Sequence, residues 1–218
     1  MNQFPNSVPY PNIQNHINWC WAVVAKIVGI SYCWNNSLPC RFSEDTSVCG
    51  VVRKDHCGLR SCVCGSCYNE ITVDNLQLDI VDRAKDPIRN PDGNLPEDDE
   101  AKARALRYIV TGDPYNLSLN IIVAGLYSNV QDLLSTSAVF IDEAIRLGNP
   151  FIGNYLLEDG NYHSVVLFPI SELQLDLYDP WDGFKERFSK FQIFKGGFLT
   201  NQGKGVIRWI QYIRPQNT

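Results

Sequence analysis

Four residues of this chain have the types and the order that thiol catalysis needs: Gln14, Cys20, His163 and Asp179. A thiol is strongly nucleophilic only as thiolate, and the partial positive charge of a helix N-terminus lowers its pKa. Cys20 lies in WCWAVVAKIVGISY, a run that is apolar nearly all round and predicts a buried helix from Trp19 to about Tyr32. The N–H groups of its first turn are suited to hold the oxyanion of a tetrahedral intermediate, given a second donor. Gln14, six positions earlier (20 − 14 = 6), carries an amide for that role.

The base must come from elsewhere in the chain. His163 stands in Asn161-Tyr162-His163-Ser164-Val165-Val166, where a turn enters an apolar strand, and would face the site from the second half of the chain. Asp179 follows sixteen residues later (179 − 163 = 16), in Tyr178-Asp179-Pro180-Trp181, close enough across a hairpin to accept a bond from the imidazole. Trp181 is placed to shield that bond from water. Each residue also has an ordinary structural role: a cysteine in an apolar helix is usually a packed, inert side chain, and Asp before Pro often opens a turn. It is the ordered set of nucleophile, base, orienter and oxyanion donor that carries the chemistry. His16, four residues before Cys20, is a rival base, but it would compete with Gln14 for the same approach and has no evident orienter. His56 belongs to a cysteine-rich loop, as a surface or metal-site residue.

The elements that must position these groups read as one α+β domain over residues 1–218, with a mainly helical lobe at 1–148 and an antiparallel β lobe at 149–218. Residues 1–18, rich in Pro and Asn, form an extended arm that delivers Gln14. Residues 33–68 hold seven of the eight cysteines and predict a loop-rich, braced segment. A short segment at 71–82, a surface excursion at 86–100 and a helix beginning near Asp99 come next; a second helix, Val130–Leu147, stops at Gly148-Asn149-Pro150. Thereafter the period changes: 151–157, 162–169, 173–179 and 205–213 are strands rich in β-branched and aromatic residues, split by Asp159-Gly160, Asp182-Gly183 and Gly196-Gly197.

Seven loop cysteines cannot all pair, so Cys33, Cys40, Cys49, Cys57, Cys62, Cys64 and Cys67 allow at most three disulfides. Zinc is the other explanation, with Cys62, Cys64 and Cys67 plus Cys57 or Cys49 as ligands, although paired Cys-x2-Cys knuckles are missing. Glu97-Asp98-Asp99-Glu100 lacks calcium-loop spacing and reads as a solvated helix start. A net charge of −5 without a basic stripe argues against nucleic acid. No apolar run is long enough to cross a bilayer, which argues against a membrane partner. No signal peptide is seen, so the expected location is cytoplasmic or reached by a non-classical export route.

In this order, Gln14-x5-Cys20-Trp21-Ala22 followed by His163-x15-Asp179 resembles the papain superfamily. Trp19-Cys20-Trp21-Ala22, the loop ending Cys64-Gly65-Ser66-Cys67-Tyr68-Asn69, and the His-Ser-Val-Val and Asp-Pro-Trp elements look like the staphopain and bacterial effector-protease branch. They also resemble the bacteriocin leader peptidases. The similarity covers roughly 14–32 and 149–213. It implies a papain-like fold with the active site in a cleft between the lobes, and a cysteine peptidase cleaving a peptide or protein through a Cys-His-Asp triad and a thioester. The thiolate and imidazolium supply nucleophile and acid, so no cofactor is required. An aspartate stands where papain has asparagine, and the Cys-Gly-Ser-Cys-Trp string is absent, so papain's substrate preferences do not carry over. Two alternatives stay open: acyl transfer or deamidation, transglutaminase-like, by the same residues, or a catalytically inactive Cys-rich binding module.

Overall fold

The computed structural model describes residues 18–36, 70–93, 98–125, 137–157, 160, 162–183 and 185–215. The chain forms two compact units, Met1–Leu117 and Ser118–Thr218. Described helices α1 (Cys20–Asn35), α2 (Glu70–Ala84) and α3 (Asp99–Thr111) lie in the first. The second carries a seven-stranded antiparallel sheet and helix α4 (Ser137–Leu147), so helices and an open sheet combine in an α+β chain. The units divide at 117/118 rather than at the expected 148/149, because strand β1 (Ile121–Gly125), not recognised in the sequence, pairs with β7 (Gly203–Ile213) and draws α4 into the sheet's unit.

Helix α1 is apolar on every side and is buried accordingly, from Trp21 through Val28 and on to Tyr32 and Cys33. It runs three residues beyond the expected end at Tyr32, so Cys33 is a buried helix residue, not part of the cysteine loop. α1 packs on α3 and α2. Gly29 permits the α1–α3 approach, since a Cβ there would stand 2.8 Å from Ile109 Cγ2. α3 starts where the acidic run predicts a helix: the Asp98 carboxylate accepts the Ala101 N–H at 3.0 Å, and Asp99 and Glu100 occupy the positive first turn. Tyr108 of α3 donates to Asp79 of α2 at 2.5 Å, and Arg104 Nε caps the α2 carbonyl of Ala84 at 2.7 Å.

The start of α1 is held from outside the helix. Trp19 supplies the first carbonyl, accepting from Ala22 and Val23, and its indole N–H donates 2.9 Å to the Gly93 carbonyl, a buried bond across 74 residues. Gly93 sits at φ +70°, and a Cβ would meet Val81 Cγ1 at 2.3 Å. Only glycine satisfies both conditions.

In the second unit the strand order is β1-β7-β2-β3-β4-β5, with β6 also on β7. Here β2 is Phe151–Leu157, β3 Tyr162–Ser171, β4 Gln174–Tyr178, β5 Lys185–Ser189 and β6 Phe198–Thr200. With a side-chain period of two, Phe151, Tyr155, Val165, Leu167, Leu175 and Leu177 share one face and join the core with Ile141, Ala144 and Ile145 of α4. A π-helical turn, Gln192–Gly196, adds Ile193 and Phe194 to it. Edge strand β5 shows solvent the charged side chains Lys185, Glu186 and Arg187, which discourage further pairing. α4 is clamped to the end of β7: Glu143 accepts from Arg214 Nε at 2.7 Å, Arg214 Nη2 at 2.5 Å and Tyr212 Oη at 2.6 Å. Hydrogen bonding from Arg214 holds the Glu143 carboxyl below its ordinary range against the opposing effect of burial, with Tyr212 adding to the lowering. Burial, then donation to Glu143, pushes the Tyr212 hydroxyl up to about 12.

Two outcomes are expected. Gly93→Ala must give up either the left-handed backbone, at about 1–2 kcal/mol, or the Val81 contact, so urea unfolding should show a loss of roughly 2–4 kcal/mol. A value within 0.5 kcal/mol of wild type would mean that the turn tolerates a side chain. For Glu143, a folded pKa below the unfolded one means stability present above about pH 4.3 and lost as pH falls through the folded value. Unfolding free energies measured from pH 6 to pH 3 should therefore fall less steeply in Glu143→Gln than in wild type, and parallel slopes would contradict the clamp.

Candidate active site

The strand register that builds the second unit's core also delivers two of the expected site residues to each other. Val165, Leu167, Leu175 and Leu177 face the core, so by the same alternation His163 and Asp179 lie at the ends of that face. Val166 pairs with Tyr178, so Asp179 falls opposite Val165 and reaches His163 on the diagonal. His163 Nε2 and Asp179 Oδ1 are 2.6 Å apart, with side-chain exposures of 8% and 1%. A carboxylate only accepts, so Nε2 carries the proton and donates, and the short distance is that of a charge-assisted bond. This fixes the tautomer of the neutral ring, with the proton on Nε2 and Nδ1 as the acceptor nitrogen.

Asp179 also opens a turn, and both roles use one oxygen. Its Oδ1 accepts the Trp181 N–H at 2.9 Å, an Asx turn across Pro180, and its carbonyl accepts the Gly183 N–H at 3.0 Å. Trp181 is only half-buried; its contribution is this main-chain N–H. Tyr155, fully buried, stands with its ring edge-on to the imidazole at 5.5 Å between centroids. Tyr155 Oη is 3.4 Å from Asp179 Oδ2 and 3.1 Å from Thr200 Oγ1. Nearby Tyr178 feels the same anion: burial, then the charges of Asp179 and Asp182, hold its hydroxyl well above the usual phenol range.

Cys20 lies in the first unit as the first residue of α1, half-buried and a thiol. Trp19 is the capping position, and no acidic side chain occupies the first turn. Gln14, His16 and His56 lie outside the described residues, as do the zinc candidates Cys57, Cys62, Cys64 and Cys67 and the other loop cysteines except Cys33. Among the described residues no cluster of metal-ligating side chains occurs, and no helix is long and apolar enough to cross a membrane.

Tyr155 and Thr200 were not singled out in the sequence, yet a signal for Tyr155 exists. The β2–β3 register pairs Tyr155 with His163, and 155 + 163 = 318 = 2 × 159, so a hairpin centred on Asp159 puts the two opposite. The Asp159-Gly160 turn signal therefore contained this pairing. Thr200 had none, since it arrives on a three-residue strand.

The buried pair should show strong coupling. In a double-mutant cycle on unfolding free energy with His163→Ala and Asp179→Ala, the expected coupling is about 2–3 kcal/mol, the upper part of the range for groups in contact. A coupling below about 0.5 kcal/mol, typical of exposed pairs, would show that the bond contributes no more than a surface contact. No protein-family model matches the chain, and no curated protein matches its sequence.

Proposed function

We propose that this chain is a papain-like cysteine hydrolase that cleaves a peptide bond in a peptide or protein. The observation that carries the proposal is the buried His163–Asp179 bond through Nε2. A histidine held in this way has its ring orientation set by the Nε2 bond, and Nδ1 is the nitrogen that would serve a nucleophile. A helix N-terminus favours the thiolate, and Cys20 is the first residue of α1, with no acid in the first turn.

The steps follow from these groups. His163 Nδ1 takes the Cys20 proton, and the thiolate sulfur attacks the scissile carbonyl carbon. The negative charge passes to the carbonyl oxygen, where the Cys20 N–H and the Gln14 amide donate to it. Collapse breaks the C–N bond, and the imidazolium returns its proton to the departing amine. Water, deprotonated by the same nitrogen, then attacks the thioester, releasing the carboxylic acid and regenerating the thiol. Asp179 keeps its bond to Nε2 and stabilises the imidazolium.

The test is alkylation by iodoacetamide across a pH series, with peptide mapping, on native protein, His163→Ala and Cys20→Ser. Cys20 should react rapidly well below about pH 8.5, the ordinary thiol value. His163→Ala should slow it roughly 10- to 100-fold near pH 6, where only an ion-paired thiol remains charged. Equal rates in native protein and His163→Ala would remove the enzyme from consideration. Where the rates differ, peptide products formed in H2 18O separate hydrolysis from acyl transfer, because only hydrolysis incorporates the label.

A further inference from the structure

Asp179 has two carboxylate oxygens, and the acid–base chemistry uses one. Oδ1 takes His163 Nε2–H and Trp181 N–H, whereas Oδ2 faces the Tyr155 hydroxyl at 3.4 Å. The direction of the chain beyond it is set by valence. A carboxylate cannot donate, so the one Tyr155 proton points to Asp179, and Tyr155 Oη accepts from Thr200 Oγ1 at 3.1 Å. Thr200 Oγ1 in turn accepts the Gln202 N–H at 3.1 Å. Three donors thus run in one direction, from the backbone at Gln202 through Thr200 and Tyr155 to the second oxygen of the carboxylate.

The ring itself is fixed by packing. Tyr155 is 0% exposed, meets Phe198 edge-on at 5.1 Å, and lies opposite His163 in the β2–β3 register. On β7, Gly205 leaves the room it needs: a Cβ at 205 would fall 2.3 Å from Tyr155 Cδ2 and 2.9 Å from Cε2. Thr200 and Gly205 belong to one hairpin, in which β6 pairs with β7, so a single supersecondary unit supplies both the hydroxyl's partner and the ring's space.

We infer that Tyr155 is a positioning residue for the acid–base pair: anchored by Thr200 and given space by Gly205, its hydroxyl holds Asp179 Oδ2 so that Oδ1 stays committed to His163 Nε2 and the imidazole keeps one orientation and tautomer. This rests on the cysteine-hydrolase proposal above. The 3.4 Å separation is longer than the usual O–H···O contact of about 2.7–2.8 Å, as resting catalytic bonds often are before charge develops. When His163 becomes an imidazolium and draws Asp179 Oδ1, the Tyr155 dipole keeps the carboxylate from rotating.

The experiment uses the full chain labelled with 15N-histidine, three sites in all, with His163 assigned by its loss in His163→Ala. The His163 Nε2–H signal and the pH profile of Cys20 alkylation are recorded in native protein, Tyr155→Phe, Thr200→Val and Thr200→Ser. Tyr155→Phe should shift the Nε2–H signal and move the alkylation profile, slowing Cys20 roughly 2- to 10-fold near pH 6, the effect of one neutral hydrogen bond. Thr200→Val should reproduce the change in part and Thr200→Ser should restore the native values, which a loss of packing alone would not do. Should Tyr155→Phe fail to fold, the Thr200 pair decides. Native signal and profile in both Tyr155→Phe and Thr200→Val, in a protein whose alkylation still depends on His163, overturn the positioning role and leave the hydrolase proposal intact. Alkylation indifferent to His163→Ala is the separate result that removes the hydrolase proposal and the positioning role with it.

Discussion

Burying an ionised carboxylate in a protein interior costs several kcal/mol unless hydrogen-bond donors surround it. At the end of β4 the Asp179 side chain is only 1% exposed, and the second unit is organised to meet that cost. Three strands contribute, each bringing one donor: His163 from β3, Tyr155 from β2, and Thr200 behind Tyr155 from β6. The turn after β4 adds the Trp181 N–H. Because the donors arrive on strands already locked by a common apolar core, the imidazole has little freedom to choose another rotamer or tautomer.

The first unit solves a different problem. A helix apolar all round can place its first residue reliably only if both its faces and its end are fixed. α3 and α2 cover α1, Gly29 sets how closely α3 approaches, and the Trp19–Gly93 bond fixes the end. The first turn itself carries no acidic side chain.

Polar groups elsewhere follow the same division between buried, directed bonds and exposed, adjustable ones. Glu143 receives the fork of Arg214 and the Tyr212 hydroxyl, a geometry-specific clamp between α4 and β7. Arg187 on edge strand β5 pairs with Asp176 of β4 while remaining half-exposed. On the face away from α4, Ser164 donates to Asn154 at 2.7 Å, pairing the two residues that sit opposite in the register.

Much of this was legible in the sequence. Strand β2 begins and ends where the apolar, β-branched run does; α3 opens at the acidic cluster; α4 stops at Gly148, whose N–H returns to Ile145. These are local matters, set by side-chain period and by capping chemistry within a few residues. The order of Gln14, Cys20, His163 and Asp179 likewise belongs to the sequence, because a nucleophile, a base and an orienter are residue types. Tertiary structure alone decided that Nε2 faces Asp179, that Asp179 is at once turn-former and partner, and that Tyr155, Thr200 and Gly205 surround the pair. It also placed β1 beside β7 and so put α4 with the sheet. Such facts depend on strand pairings that reach from Leu167 with Leu177 (177 − 167 = 10) to Ile121 with Ile213 (213 − 121 = 92), and no local pattern of side chains encodes which distant edge a strand will join.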